Sequence, residues 1–520
     1  MGIIKKVARY VLREELKPKL NQTVKVNASV YEAASTGRRM SLWGLNSYGP
    51  NSTIADDMNS MKYRARKLAR DNPLASGGVD SYTANIVGIG ITPKWQTTHE
   101  KKNQEILELW NQCVPYMDAD EVLDIYGLQS QIVRSVTVAG EVLAHMIIKK
   151  HPVCPVPFQV RLLETDFLKD VSYEQLSDSR YIKLGIEFDN NNIKHAYHCY
   201  LEHPGEYTIS SKSSWETIRI PKEDMLHVFV PLRPGQVRGV TRFSTLITRL
   251  RQIDECEDAV LTKQKIAALF GAFVISRPGE ADLTQPLMPE TDTTDSEGNN
   301  VTYGYLEPGM IQFLGKDAED VKFADPPAIG DAYTVWIKQQ LQELAIGFQL
   351  TYEQLSGDLA GVTFSSIRAG LNEFRRKCEQ FQHNIIIHQF CRPLAARWLD
   401  TAVLSGAIKL PGYYKERLNY INTLWNPDAW DYVNPEEDVD TRIKEIRAGL
   451  KSRSSVVEST TNRDSREVDR EIEEDNKNAD EKKLIFDSDP RYTNKAGSQE
   501  KEKEKRGESD AITKPKPKRE

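Results

Sequence analysis

The spacing of apolar positions changes character several times along this chain. From about residue 56 to 150 it is mostly helical. Asp56–Asp71 places Met58, Met61, Leu68 and Ala69 partly on one face, and the helix stops at Asn72-Pro73, since proline disfavours a helical residue before it. A second helix is predicted over Ala75–Val87, and GIGITPKWQ then turns the chain into a strand. QEILELWNQC sets Ile106, Leu109, Trp110 and Cys113 on one helical face. SQIVRSVTVAGEVLAHMIIKK starts helical and ends β-rich. Between 158 and 232, FQVRLLETDFL, YIKLGIEFD, IKHAYHCYL and MLHVFVPL are short apolar or alternating runs divided by Asp, Asn, Gly and Pro, and they read as strands.

Helical spacing returns over Phe243–Phe273, where Leu246, Ile247, Leu250 and Ile253 share a face and Asp254, Glu255, Glu257 and Asp258 form an acidic block. Residues 276–328 are turn-rich. TDTTDSEGNN reads as an exposed turn, and YGYLEPGMIQFLG as a strand, a Pro-Gly turn and a second strand. The next helix, Ala332–Phe348, has Val335, Trp336, Leu341, Leu344 and Ala345 as its apolar set. A small, polar and flexible loop follows in LTYEQLSGDLAGVTFSSIRAGLNEFRR, the most informative run of the chain. The longest helix starts near Ser365 and continues for about thirty residues. Ile367, Leu371, Phe374, Cys378, Phe381 and Ile385 form its heptad-like stripe, which reads as a core helix before a coiled coil. Pro393 predicts a kink near Gln389–Arg392. Further helices are expected over Pro435–Leu450, with Asn434 as N-cap, and over Arg466–Asp475. The charged stretch beyond Asp480 cannot bury enough apolar surface to fold. The opening residues predict a short amphipathic helix ending before Pro18. Lys6, Arg9 and Arg13 interrupt it, so it is no secretory signal, and Lys6 also breaks the myristoylation pattern.

Charge narrows the function classes. The chain has 520 residues, 28% of them charged, and a net charge of −6, so no basic balance advertises nucleic-acid affinity. The length suits about three to four structural units. No run approaches the roughly twenty apolar residues that span a bilayer. Six scattered cysteines without a CxxC fit a reducing compartment and a cytoplasmic birthplace. GxxxxGK[ST], HExxH and GxSxG are all absent, and Gly88-x-Gly90 lacks a third glycine. His195, His198, Cys199 and His203 are the best metal candidates, but they read as ordinary strand residues. The expectation is no catalytic residue, no metal and no cofactor.

Several segments together resemble the lambda-type family of tailed-phage portal proteins. They are YEAASTGRR (31–39), RARKLARDNPLASGGVDSYTANIVGIGITP (64–93), AGEVLA (139–144), HVFVPLRPGQVRGVTRF (227–243), DAVLTKQKIAALFGAFV (258–274), LEPGMIQFL with VKFADPP (306–327) and YEQLSGDLAGVTFSSIRAGLNEFRR (352–376). FCRPLAARWL (390–399) and AGLKSRSSVV (448–457) extend the resemblance to roughly residues 30–470. It implies an α+β subunit of a ring, typically twelve copies, at one capsid vertex. Mapped by order along the chain, it implies an N-terminal arm (1–45), an α/β wing (46–240), a first stem helix (241–275), a clip (276–328), a second stem helix (329–348), a tunnel loop (349–364), a kinked wing helix and connection (365–434), a helical crown (435–475) and a disordered tail (476–520). DNA would enter and leave through the central channel. The implied partners are further copies of the chain, double-stranded DNA, the large subunit of terminase, the major capsid or scaffold protein and a head-completion or adaptor protein, with no membrane during assembly.

The residues support that reading in physical terms. Glu353, Ser356, Gly357, Asp358, Gly361, Thr363 and Ser365 are the candidate channel residues, and the run has no Lys or Arg before Arg368. Each neutralised phosphate adds affinity through counterion release, so a small, polar or acidic surface lets DNA slide. Arg368, Arg375 and Arg376 are candidates for DNA or inter-subunit contact, with ordinary helix-surface ion pairs as the alternative. The competing functional readings are a metal-dependent nuclease, for which no carboxylate set is evident, and a helical capsid scaffold or adaptor without a DNA channel.

Overall fold

The computed structural model describes residues 47–177, 179–206, 216–276, 291–294, 300–303, 310–313, 318–323, 331–430, 434–461, 463–484 and 486. The expected arm over 1–45 and most of the expected tail lie outside these residues. The chain divides into two compact units, 1–53 and 54–520. Of the first, residues 47–53 are described, and they include the start of a short helix, Pro50–Ala55. All that follows concerns the second unit.

Helices α1 (Met58–Asp71) and α2 (Pro73–Val87) meet at the predicted break. Asn72 accepts the Ala75 N–H through Oδ1 at 2.8 Å, and Pro73 takes the first helical position, where no N–H is needed. Strand β1 (Thr92–Trp95), α3 (Glu100–Cys113) and α4 (Ile125–Ala139) follow. Asp124 caps α4 by accepting the Gly127 N–H at 2.7 Å, and Gly140, left-handed at φ 94°, ends it. Strands β2 (Glu141–Ile147), β3 (Gln159–Leu163) and β9 (Met225–Phe229) form an antiparallel sheet ordered β3-β2-β9. Between β3 and β9, strands β4 (Tyr173–Ser177), β5 (Arg180–Lys183), β6 (Ile186–Asp189), β7 (Lys194–Tyr200) and β8 (Thr217–Pro221) make a five-stranded antiparallel meander.

Strand β2 is buried on both faces. Val142, Ala144 and Met146 enter the main apolar cluster with the helices, while Leu143 joins Ile186, Phe188, Tyr197 and Ile220 of the meander in a second one. The main cluster is centred on tryptophans from distant parts of the chain. Trp110 lies edge-on to Trp398 at 5.0 Å, to Trp95 at 5.6 Å and to Trp425 at 6.1 Å between ring centroids. The predicted face of α3 (Ile106, Leu109, Trp110, Cys113) is buried.

Helices α5 (Ile247–Leu269) and α6 (Asp331–Phe348) run antiparallel. Near one end a Cβ on Gly347 would overlap Leu246, and further along Arg249 donates to Gln340 at 2.6 Å and pairs with Glu343. Strands β10 (Phe270–Ser276), β11 (Thr291–Thr294), β12 (Asn300–Tyr303), β13 (Met310–Phe313) and β14 (Ala318–Phe323) lie between the two helices. The short helix α7 (Tyr352–Ser356) and then α8 (Phe364–Phe381) follow. A π-helical stretch, Gln382–Cys391, leads into α9 (Arg392–Leu404). Helix α10 (Arg417–Tyr420) and β15 (Thr423–Asn426), antiparallel to β1, precede α11 (Pro435–Arg447), α12 (Arg453–Thr461) and α13 (Ser465–Lys482).

Several expectations are corrected. Helix α5 ends four residues short of Phe273, because FGAFVIS is a β-rich apolar run that finds partners in β13 and β14. The expected Pro-Gly turn lies outside the described residues, and strands flank it on both sides. Strand β12 pairs with β11, while β13 pairs in parallel with β10, a choice of distant partner that local turn chemistry does not specify. Val335 and Trp336 are 69% and 37% exposed and are not core residues of this chain. Helix α12 was not foreseen, and α13 runs to Lys482, past the expected start of the tail.

Around Pro393 the structure has a widened helix. The Arg392 N–H bonds to the Ile387 carbonyl five residues back. A π turn relieves the crowding that a proline ring imposes on the preceding turn. It also turns three consecutive side chains inward, so Ile385, Ile386 and Ile387 are all buried. Gln389 completes the seam by accepting the Phe229 N–H at 3.0 Å and donating to the Phe229 carbonyl at 3.1 Å, on the edge of β9.

Candidate functional site

The connection between α6 and α8 has an immobilised root. Phe348 is fully buried, edge-on to Phe243 at 5.4 Å, and close enough to α2 that a Cβ on Gly78 would sit 3.1 Å from its ring. The end of α6 is a Schellman turn: the Leu350 N–H bonds to the Ala345 carbonyl at 2.9 Å and the Gln349 N–H to the Ile346 carbonyl at 3.0 Å. Gln349 takes the left-handed position at φ 61°, which costs a non-glycine residue about 1–2 kcal/mol. Arg242 compensates by donating to the Gln349 Oε1 at 2.8 Å, to the Phe348 carbonyl at 3.3 Å and to the Tyr82 hydroxyl at 3.0 Å, with its guanidinium 4.2 Å from the Tyr82 ring centroid.

Beyond the root, the connection is partly helical, where the sequence predicts a flexible loop. Thr351 and Gln354 form a capping box that starts α7, and Leu355 packs against the main core. Glu353 lies in its first turn. The Ser356 Oγ donates to the Tyr352 carbonyl at 2.8 Å, and Gly357 ends the helix at φ 69°. Asp358 accepts from the Ala360 N–H at 2.9 Å and the Tyr352 hydroxyl at 3.0 Å, with the Lys338 ammonium of α6 at 3.9 Å. The Ala360 N–H, with smaller help from Tyr352 and Lys338, holds this carboxyl below the usual aspartate range. Sequence reasoning missed Lys338, because that cation reaches the connection from the preceding helix. Gly361 is left-handed at φ 75°, and a Cβ on Gly357 or Gly361 would meet nothing within 4 Å. Gly357, Leu359, Ala360 and Gly361 are the exposed edge. Thr363 caps α8 by accepting the Ser366 N–H at 3.3 Å, and Ser365 lies in the first turn of that helix.

The three arginines of α8 differ. Arg368 lies 3.3 Å from Asp438 and 3.5 Å from Glu437, both in the first turn of α11. The Arg375 guanidinium sits 5.3 Å from the Trp430 ring centroid, and Trp430 also meets Phe374 edge-on. Arg376 is exposed. Two of the three therefore have partners within the chain.

The 139–144 and 227–243 segments meet in a buried charge cluster that sequence reasoning did not find. Glu141, 2% exposed, accepts from the Arg238 Nε at 2.8 Å, the His227 Nε2 at 2.9 Å and the Gly239 N–H at 2.6 Å. Arg238 also donates to the Leu184 carbonyl at 2.9 Å. Burial alone would raise the Glu141 pKa, but Arg238 and His227 together pull it below the usual range. Burial lowers the His227 pKa to about 4 despite Glu141. A Cβ on Gly239 would overlap the Gly140 carbonyl, so the two segments cross at van der Waals contact. The available signal was a lone glutamate inside an apolar run.

The histidines of the predicted metal candidates take separate carboxylate partners. His195 lies 3.4 Å from Asp189, His198 3.0 Å from Glu187, and His203 3.2 Å from Glu164. Glu164, Asp166 and His203 converge, but Lys62 and Arg66 already pair with Asp166 at 3.0 and 2.7 Å. Protein cations therefore meet the charge there. Among the described residues no helix is long and apolar enough to cross a membrane.

The chain is similar to several known proteins. A family model described as "Phage portal protein, lambda family" matches residues 36–382. The probable portal protein of Halomonas phage phiHAP-1 is 26% identical over 60% of this chain and 58% of its own length. The portal protein of Escherichia phage N15 is 22% identical over 80% of this chain and 83% of its own. Portal protein B of Escherichia phage lambda is 21% identical over 56% of this chain and 58% of its own. The chain thus spans under two thirds of two of these three relatives. Among solved structures, a chain from the neck of a native gene transfer agent particle, computed with C12 symmetry, is similar at a TM-score of 0.42 and 14% identity, over 81% of this chain and 97% of that one. A chain from the virion of that particle has a TM-score of 0.41 at 12% identity, over 77% and 92%. Both likenesses are too weak to carry a fold assignment.

Proposed function

Because the chain belongs to the lambda family of phage portal proteins, it is a portal protein, and we propose that its copies, twelve in number, close into a ring at one capsid vertex with a DNA channel at the centre. The observation that carries this reading is the antiparallel pair α5 and α6. It leaves Leu261, Val335, Trp336 and Ile346 exposed on both helices. Lateral neighbours in a ring would cover such side chains. The insertion over 276–328 leaves from the end of this pair opposite the buried Phe348 and is our candidate clip, the docking surface for the terminase large subunit during packaging and a head-completion protein afterwards. The wing would face the major capsid or scaffold protein. Assembly would take place in the host cytoplasm.

The connection over 349–364 is our candidate tunnel loop. Its anchored root resists displacement, and its exposed edge of Gly357, Leu359, Ala360 and Gly361 carries no cation of its own, the nearby Lys338 being paired with Asp358. An edge of this kind contacts a moving polyanion without releasing counterions, and so without holding it. Arg376 on α8 is the exposed arginine available to DNA or to a neighbouring copy. Electron micrographs of the purified protein viewed end-on test the proposal. A closed annulus with a lumen wide enough for a duplex is expected. An open filament, a solid shell nucleus or a monomer at every concentration would overturn it.

A further inference from the structure

We propose that Lys338 is the residue through which the channel touches DNA phosphate, and that Asp358 competes for it and so sets how long each touch lasts. The inference rests on the reading of 349–364 as the tunnel loop. Lys338 stands on an exposed side of α6, with its ammonium 3.9 Å from the Asp358 Oδ2 and 5.1 Å from the Tyr352 ring centroid. Its side chain is 47% exposed and that of Asp358 37%. A cation borne by the stem helix thus lies against α7, and water reaches both members of the pair.

The pair is built to be loose. Two neutral donors fix the Asp358 carboxylate without the lysine. The Ala360 N–H donates to Oδ1 at 2.9 Å, and the Tyr352 hydroxyl donates to Oδ2 at 3.0 Å. The Lys338 ammonium is beyond hydrogen-bond distance of that same Oδ2 and is carried on a flexible stem. An exposed ion pair of this kind is weak and readily exchanged. Two further cations flank the connection, and both are engaged more closely. Arg242 donates to the Gln349 Oε1 at 2.8 Å and the Tyr82 hydroxyl at 3.0 Å, and Arg368 donates to Asp438 at 3.3 Å. A duplex in the channel presents a far denser row of negative charge than one carboxylate. When a phosphate comes within reach, Lys338 swings to it from Asp358, and Asp358 takes the ammonium back as the phosphate moves on. Each copy makes a contact that a neighbouring carboxylate is always placed to replace.

The test measures binding of a linear duplex to assembled rings of the full-length protein over a series of salt concentrations. A closed circular duplex, which cannot thread the channel, controls for contacts outside it. Asp358→Asn should tighten binding of the linear duplex several-fold. It should also steepen the fall of log affinity with log salt by about 0.9 for each copy that engages a phosphate, and leave the circle unaffected. Lys338→Met should weaken binding and flatten the salt dependence, and Asp358→Asn added to Lys338→Met should bind as Lys338→Met alone. A tightening that survives the loss of Lys338 would mean that Asp358 acts by repelling phosphate directly, and would overturn the proposal. A photo-cross-linking amino acid at the exposed Leu359 separates this failure from failure of the underlying reading. Cross-links to the linear duplex without any response to Asp358→Asn would sink the role of Lys338 and leave the tunnel loop standing. Absence of cross-links would remove the tunnel loop and this proposal with it.

Discussion

The Glu141 cluster and the exposed edge of the 349–364 connection both lie in segments that resemble the portal family, yet they are built on opposite principles. Around Glu141 the carboxylate and the crossing backbones are tightly constrained, while the buried His227 Nδ1 has no hydrogen-bond partner. A buried carboxylate has three donors, and two backbones cross where only glycine fits. At Gly357 and Gly361 nothing within 4 Å would resist a side chain, and the requirement is a backbone angle. Resemblance to a family therefore does not by itself separate a packing constraint from a working surface, and the local environment does.

The largest effect should come from Arg238→Met. It leaves Glu141 buried without its main counter-charge and should cost about 3–5 kcal/mol of unfolding free energy in chemical denaturation. An unchanged stability would mean that the cluster does not organise the wing. Acidification should weaken the same region. The folded pKa of His227 is about 4, below its unfolded value, and that of Glu141 is also depressed. In both cases the unfolded chain binds protons that the folded chain refuses. Stability is therefore full near neutral pH and falls as pH drops from about 6.5 through 4, by up to about 3 kcal/mol for the histidine. His227→Gln should flatten the upper part of that fall, which denaturation midpoints measured against pH would reveal.

A matched glycine pair sharpens the contrast. Gly239→Ala pushes a methyl into the Gly140 carbonyl and should cost about 2 kcal/mol or more, whereas Gly357→Ala meets open space and should cost about 1 kcal/mol from its left-handed angle alone. Equal losses would erase the distinction. The smallest effect on folding is expected from deleting Gly357–Gly361. Ring assembly should persist in micrographs while DNA packaging or retention fails. Normal packaging together with normal retention would remove the tunnel-loop assignment.

Much of the architecture was legible because it is written in local periodicity and turn chemistry. The Asn72-Pro73 break, the buried face of α3 and the strands between 158 and 229 all follow from short-range pattern. The misses share one cause, the choice of a distant partner. Phe270–Ser276 became a strand because β13 and β14 were available, and Val335 and Trp336 stayed exposed because no element among the described residues covers them. The candidate site was legible as a position and less so as a structure. The glycines and the Thr363 cap could be anticipated, but the capping box of α7 went unnoticed, and the Lys338–Asp358 and Arg242–Gln349 contacts depend on how α6 packs.

Taken alone, the amino-acid order determined where most helices and strands of the wing lie, that small groups lie between two long helices, and, through several ordered segments, which family the chain resembles. These are properties of neighbours in the chain, and short-range sterics and capping enforce them. Only the tertiary structure decided that Glu141, Arg238 and His227 share one dry pocket, that the root of the connection is clamped by Arg242, and that Pro393 is accommodated by a π turn that buries three successive isoleucines. Those outcomes depend on which surfaces meet after the chain collapses. Burial sets their energies, and burial cannot be read from spacing.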